Sequence, residues 1–244
     1  MKKKNKLLAI LSLVMVCMLT TVTVHAAVAY GSWSVLGRPI GSTLASYQGR
    51  STIVTGTNYA RGNTQIKTSK QVGAGEIGGI ARLYNSSGSL VLGTGARYNT
   101  SATSEFWVET SVYNKGGVYY SQGILYQWDG GSYSSHSLSK TPNMNARSAE
   151  VEYEIKENEN GETYGSALGQ EKDPDLIAAI GTNGEEGYVK ASDITPPADM
   201  SLEEALAYTS EAVTVPLYMS DGETEIGEFI LEEPTCGYDL SETN

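Results

Sequence analysis

The sequence predicts a mainly β protein, with an N-terminal β-sandwich or open barrel followed by a small acidic α+β module. Apolar and polar residues alternate with a period of two over much of the first 142 residues, and no helical period occurs there. Turns rich in Gly, Asn and Asp separate the alternating segments. The net charge changes sign near residue 150, and a helix-start signature occurs only after that point.

The first 26 residues predict a secretory signal peptide. Lysines precede an apolar run from Leu7 to Val24, and small residues surround Ala26. Cleavage is expected after Ala26, or after Ala29, where small residues offer a second site. An uncleaved membrane anchor and a lipoprotein acylated at Cys17 are the alternatives. The mature chain is expected to be secreted, extracellular or cell-wall associated, and to lack a transmembrane helix.

Charge divides the mature chain. Residues 27–149 carry ten Lys and Arg against four Asp and Glu, whereas residues 150–244 carry three against twenty-four. Such a reversal predicts two units with different surfaces. The expected organisation is a basic Gly/Tyr-rich β domain over residues 27–142, a linker over 143–149, an acidic α+β module over 150–232 and a flexible tail over 233–244.

The stretch from Glu105 to Lys140 predicts three antiparallel strands joined by two tight turns, at residues 114–117 and 129–131. In the first strand, Phe106 and Val108 are expected to face the core. Gly123 interrupts the second strand and indicates a bulge or a closely approaching backbone.

The remaining turns and one helix follow from shorter signals. In the front half, turns are expected at residues 61–63 and 85–88, each between two strands. In the rear half, turns are expected at 158–161, 182–184 and 220–223. Ser201, three residues before Glu204, is typical of a capping box that opens a helix.

A sugar-binding strip is predicted on the outward face of the first strand of that stretch. Trp107 and Tyr113 alternate with the core positions and would stack on a sugar, with Glu105 and Glu109 beside them to accept hydroxyl hydrogen bonds. A glycosidase pair is disfavoured, because four strand residues separate the two carboxylates by ~13 Å. The competing interpretations are an ordinary outer face, or a sandwich core that contains Trp107.

The sequence contains no recognisable catalytic constellation, and we expect a protein that is not an enzyme, without cofactor or metal. The mature chain has one His and one Cys, which excludes a metal site made of several such ligands within one chain. The acidic clusters of the rear half match no calcium loop and are interpreted as solvated surface. Cys236 is expected to be a free thiol or to form an intermolecular disulfide.

Part of the rear half resembles a known but uncharacterised module. The resemblance rests on four segments: ENGETYGSA (159–167), DPDLIAAIGTNGEEGYVKASDI (173–194), SLEEALAY (201–208) and VPLYMSDGETEIGEFIL (215–231). Similar segments end many secreted or membrane-attached proteins of Gram-positive bacteria. Residues 187–194 are also similar to the end of bacterial SH3-like repeats, and the front half resembles small secreted β-proteins of unknown function. The resemblance implies an extracellular setting and no particular activity.

These observations predict a secreted, non-catalytic β-protein that associates with the cell surface, a cell-wall polymer or a glycan. A basic front domain favours an anionic polymer as partner, and no nucleic-acid partner is expected. The alternative is a secreted antimicrobial or toxin-like β-protein, whose acidic module shields the basic domain until release.

Overall fold

A computed structural model describes residues 26–36, 45–56, 58–142, 153–208 and 211–238. Of these residues, 52% lie in strands and 5% in two short helices, which confirms the mainly β class. The predicted signal peptide lies outside the described residues except for Ala26, and the predicted linker lies wholly outside them.

In chain order the strands are β1 (Ala27–Tyr30), β2 (Ser34–Leu36), β3 (Tyr47–Gly56), β4 (Tyr59–Val72), β5 (Ile77–Ile80), β6 (Arg82–Asn85), β7 (Leu90–Thr94), β8 (Arg97–Tyr98), β9 (Thr103–Glu109), β10 (Tyr119–Ser121), β11 (Ile124–Trp128), β12 (Tyr133–Ser137), β13 (Lys156–Glu157), β14 (Thr163–Gly165), β15 (Leu176–Ile180), β16 (Glu186–Lys190), β17 (Val213–Tyr218), β18 (Glu225–Glu232) and β19 (Thr235–Gly237). The helices are α1 (Ala191–Ile194) and α2 (Leu202–Ala207).

These strands form three sheets within the described ranges. The six-stranded sheet has the order β1-β3-β4-β9-β19, with β2 also paired to β3. The nine-stranded sheet has the order β10-β6-β7-β18-β17-β16-β15-β14-β13, and the four-stranded sheet has the order β12-β11-β5-β8. The chain passes from the four-stranded sheet to the nine-stranded sheet between β5 and β6, where Ala81 separates the two strands.

Several predicted turns are confirmed. The carboxylate of Asp129 accepts hydrogen bonds from the backbone N–H groups of Gly131 and Ser132, which closes the β11–β12 hairpin. The β17–β18 hairpin turns at Asp221 in the same way, through the backbone N–H groups of Glu223 and Thr224. Both are local Asx-type turns, and their sequence signal therefore does not depend on distant contacts.

Helix α2 begins as its sequence predicts. The Ser201 hydroxyl accepts a hydrogen bond from the backbone N–H of Glu204, and the Glu204 carboxylate accepts one from the backbone N–H of Ser201. This reciprocal capping box satisfies two N–H groups that the helix itself leaves unpaired.

Two predicted hairpins are wrong. Strands β9 and β10 do not pair: β9 lies between β4 and β19, whereas β10 pairs with β6 in another sheet. The chain reversal expected at residues 61–63 lies instead between Gly56 and Tyr59, because β4 is a continuous 14-residue strand. In both places Gly and Asn fit a turn locally, but the pairing of neighbouring strands decides the outcome.

Of the two roles predicted for Gly123, a bulge or a closely approaching backbone, the structure confirms the close approach. It lies between β10 and β11, where the chain changes sheets, and a Cβ there would lie 1.6 Å from the Thr64 hydroxyl oxygen and 2.8 Å from the Ile80 carbonyl oxygen. Only glycine leaves room for this crossing.

The two halves of the chain share sheets and a core. In the nine-stranded sheet, β7 of the front half pairs in parallel with β18 of the rear half. One buried cluster contains Tyr84 and Leu90 from the front together with Ile177, Leu217 and Phe229 from the rear. The division into a basic and an acidic unit stays a prediction, but we expect the described elements to unfold together because they share this core.

An ion pair also joins the halves. The Arg82 guanidinium donates to the Asp173 carboxylate at 2.7 Å, and the side chains are only 3% and 15% exposed. Burial alone would lower the pKa of Arg82, but the Asp173 charge outweighs it and raises that pKa. The positive charge of Arg82 therefore persists at neutral pH in a buried position.

The flexible tail predicted from residue 233 is wrong for residues 235–238. Strand β19 pairs with β9 along the edge of the six-stranded sheet, and Cys236 packs against the core as a half-buried free thiol. The Tyr238 ring lies 5.7 Å from the Phe106 ring. The sequence signal is weak here because a three-residue strand has too few positions to show a period.

Candidate functional site

The outward side of the six-stranded sheet, here called the outer face, carries three of the four predicted site residues. On β9, Phe106 and Val108 are fully buried, as predicted, so that Glu105, Trp107 and Glu109 project to the opposite side. Strand β9 lies between β4 and β19, and the outer face therefore has neighbours on both sides of these residues.

Ion pairs hold both glutamates. Lys67 on β4 contacts Glu105 at 3.0 Å, and Arg61 on the same strand donates to Glu109 at 2.9 Å. The pair at Glu105 is the more exposed one, with side-chain exposures of 41% and 35%, against 34% and 12% for the pair at Glu109. Each carboxylate therefore already has a cationic partner on the neighbouring strand.

Trp107 is half-buried between these two ion pairs. Its cross-strand partner on β19 is Gly237, where a Cβ would approach the indole ring to 2.6 Å. Gly237 therefore packs directly against the indole ring, while part of the indole stays accessible. The structure thus places Trp107 neither in the core nor fully in solvent.

Tyr113 does not share this face, which corrects the prediction of a single four-residue strip. Strand β9 ends at Glu109, and Tyr113 makes only an isolated bridge with Ala60. Its ring packs edge-on against Tyr119 at 5.5 Å, beside a buried cluster on the inner side of the sheet. The alternation could not be extended to residue 113, because the strand period stops four residues earlier.

A second aromatic group on the outer face was missed by sequence reasoning. The Arg50 guanidinium carbon lies 4.1 Å from the ring centre of Tyr30 and 4.5 Å from that of Trp33. Arg50 Nε donates to Gln65 Oε1 at 2.6 Å. The alternation of Gln48, Arg50 and Thr52 is visible in the sequence, but the contact with Tyr30 and Trp33 depends on the pairing of β1 and β2 with β3.

Arg50, Gln65 and Trp107 occupy one row across the sheet. They are direct register partners on β3, β4 and β9. Neighbouring strands lie about 4.8 Å apart, which separates the backbone positions of Arg50 and Trp107 by about 10 Å. The row therefore presents an arginine between two rings at one end and an indole at the other.

The next row contains buried polar atoms without a partner in the described structure. Thr52 Oγ1 and Asn63 Oδ1 are buried and unpaired, and the two residues are register partners on β3 and β4. Such groups are uncommon in folded proteins because an unmade hydrogen bond inside costs about 1–3 kcal/mol. Because both atoms are buried, they add no hydrogen-bonding group to the exposed surface of the outer face.

Other places in the described structure offer less chemistry. No group of three or more His, Cys, Asp or Glu side chains in that part of the chain is placed to hold a metal ion. His136 is half-buried, and burial lowers its pKa. A cavity of about 570 Å³ lies between the β11–β12 hairpin and residues 171–175, with Tyr126, Asp173 and Thr195 in its lining. It combines serine and threonine hydroxyls with charges of both signs and no nucleophile–base pair.

Within the described ranges, no helix has the length and apolarity needed to cross a bilayer. No protein-family model, curated protein or solved structure matches the chain. The outer face, with its paired glutamates, half-buried indole and ring-flanked arginine, is therefore the feature from which a function can be argued.

Proposed function

We propose that the protein is secreted and non-catalytic, and that it binds a cell-wall polymer or glycan through the outer face of the six-stranded sheet. The observation that carries the proposal is the half-buried Trp107, held between the Lys67–Glu105 and Arg61–Glu109 ion pairs. An aromatic ring beside fixed hydrogen-bonding groups is the arrangement that sugars require, because they present apolar ring faces and polar edges.

The fixed arrangement of the face supports ligand binding. Gly237 packs against the indole from one side, and the less exposed Arg61–Glu109 pair orients one of the two carboxylates. A preorganised surface loses little conformational entropy when a ligand binds. The carboxylates also lie ~13 Å apart along the strand, further than a pair of glycosidase acids.

Within this proposal the front half is a β-sandwich or open barrel, and the rear half is an acidic α+β module. The inner side of the six-stranded sheet packs on β5, β6 and β10, which supports two layers in front. Both described helices belong to the rear half, which supports its mixed character.

The experiment is a binding assay of wild type and Trp107→Ala with purified peptidoglycan, with and without its attached anionic polymers. We expect Trp107→Ala to weaken binding about tenfold or more, since removing an aromatic anchor typically costs about 1–2 kcal/mol or more. Truncation of a half-buried Trp should cost roughly 2 kcal/mol of stability, about half the value for a core Trp. The variant is therefore expected to stay folded.

Tyr218→Ala is the matched control. Tyr218 is a half-buried aromatic residue under a lysine in the rear half, with Lys190 Nζ 4.8 Å from its ring centre. The Tyr218→Ala substitution removes a comparable aromatic ring and leaves the outer face unchanged. Equal binding by Trp107→Ala and wild type would refute the outer face as the binding site, and no binding by wild type would refute the proposed ligand class.

The antimicrobial alternative stays a prediction, with its own assay. Its release step would have to separate β18 from β7 and break the Arg82–Asp173 pair, which disfavours a shield that dissociates. Growth inhibition by the intact secreted protein would favour this alternative over wall binding alone.

A further inference from the structure

Two aromatic rings and a glutamine side chain hold the Arg50 guanidinium on the outer face. Its guanidinium lies within 4.1 and 4.5 Å of the ring centres of Tyr30 and Trp33, so that the two rings cover it. Gln65 accepts from Nε and fixes the direction of the group along the sheet. Two rings and one hydrogen bond therefore position the planar fork before any ligand arrives.

The remaining donors of Arg50 have no acidic partner. A guanidinium carries five N–H groups, and Gln65 uses only the one at Nε. In the described part of the chain no carboxylate pairs with Arg50, and neither Nη atom belongs to the fully buried unpaired set. The two Nη groups are therefore available to a ligand from solvent.

Two other cations of the outer face differ from Arg50 because they have acidic partners. Lys67 and Arg61 are each neutralised by a glutamate of β9. Arg50 thus supplies an uncompensated positive charge on the outer face, and burial lowers its pKa despite the opposing effect of Tyr30. An anion bound at the Nη edge would compensate this charge in a partly desolvated position.

We propose that Arg50 binds the acidic group, carboxylate or phosphate, of an anionic saccharide whose ring packs on Trp107. This inference rests on the proposed function, because it uses the same face and the same ring. About 10 Å separates the backbone positions of Arg50 and Trp107 across two strand spacings. The acidic group and the stacked sugar ring would therefore belong to one extended polymer rather than to a small ion.

The test compares wild type, Arg50→Gln and Arg50→Lys on three probes: neutral chitohexaose, carboxylate-bearing hexagalacturonate and a glycerol phosphate polymer. Arg50→Gln should bind the preferred anionic probe about tenfold more weakly, which corresponds to about 1.4 kcal/mol. It should bind chitohexaose with less than a twofold change. Arg50→Lys should recover little, because an ammonium group keeps the charge but lacks the planar fork.

Arg97→Gln is the control for net charge, since it removes one positive charge from the four-stranded sheet, away from the outer face. Equal weakening by Arg50→Gln and Arg97→Gln would show a diffuse charge effect and overturn the inference. Loss of binding in Trp107→Ala with unchanged binding in Arg50→Gln would overturn it while leaving the proposed function intact. No binding of any probe by wild type would overturn both. The two anionic probes distinguish carboxylate from phosphate as the recognised group.

Discussion

The ion pair between Arg82 and Asp173 offers the sharpest test of how the two halves are held together. Asp173→Asn keeps the size of the side chain but removes the charge that compensates Arg82. The Arg82 side chain is 3% exposed and would remain a buried cation. Breaking one partner of such a pair typically costs about 3–5 kcal/mol, because the remaining charge loses its compensation without regaining water.

This cost is large compared with the usual stability of a folded protein, about 5–15 kcal/mol. We therefore expect Asp173→Asn to lower Tm by about 10 °C, since 1 kcal/mol shifts Tm by about 2–4 °C in chains of this size. Urea unfolding followed by fluorescence and by circular dichroism should give coincident transitions in wild type, because the halves share a core.

The matched control is Glu105→Gln, which breaks the exposed pair with Lys67. Its side-chain exposures of 35% and 41% place it among surface ion pairs, which contribute about 0–1 kcal/mol. The double variant Arg82→Met with Asp173→Leu should recover much of the loss, because hydrophobic replacement of a buried pair is often tolerated. If Asp173→Asn costs no more than Glu105→Gln, the reasoning from burial is wrong.

Two further predictions concern pH and processing. Burial raises the pKa of Tyr84 to about 12 from its ordinary value of 10.0, although the charge of Arg82 opposes this shift. The neutral phenol therefore contributes stability that is complete below pH 10 and is lost as pH rises through 12. The shift corresponds to roughly 3 kcal/mol, and we expect alkaline unfolding to begin above pH 10 and to move to higher pH in Tyr84→Phe, as measured by phenolate absorbance and circular dichroism. Under the proposed secretion, cleavage should leave Ala27 as the N-terminus, because Ala29 is 8% exposed in the core and β1 pairs from Ala27 onward; N-terminal sequencing that starts at Tyr30 would contradict this.

Structural features that depend on neighbouring residues could be predicted from the sequence, whereas the pairing of distant strands could not. The Ser201–Glu204 capping box and the Asp129 and Asp221 turns depend on neighbours within four residues, and all three occur as predicted. The inward direction of Phe106 and Val108 follows from the same short-range alternation. The partner of β9, by contrast, is β4 on one side and β19 on the other, and no period in the sequence encodes that choice.

The candidate site could likewise be predicted only where its residues belong to one strand. Three of its predicted residues lie together because they belong to one strand, whereas Tyr113 lies beyond the strand end. Tyr30 and Trp33 are close in sequence, but Arg50 lies further along the chain on β3, and only the register of β1, β2 and β3 brings the arginine to the two rings. A site made across strands requires the sheet order before its members can be recognised.

The pairing of β19 with β9 has a consequence for the order in which the protein can fold during synthesis. More than half of the chain's 244 residues lie between Trp107 and Gly237, which touch in the folded protein. When residues 103–109 emerge first, one edge of their strand has no neighbour, and it stays exposed until residues 235–237 follow. Contacts so distant in sequence form slowly. The outer face is therefore completed late, so that a nascent or truncated chain would lack a finished outer face even with its front half fully synthesised.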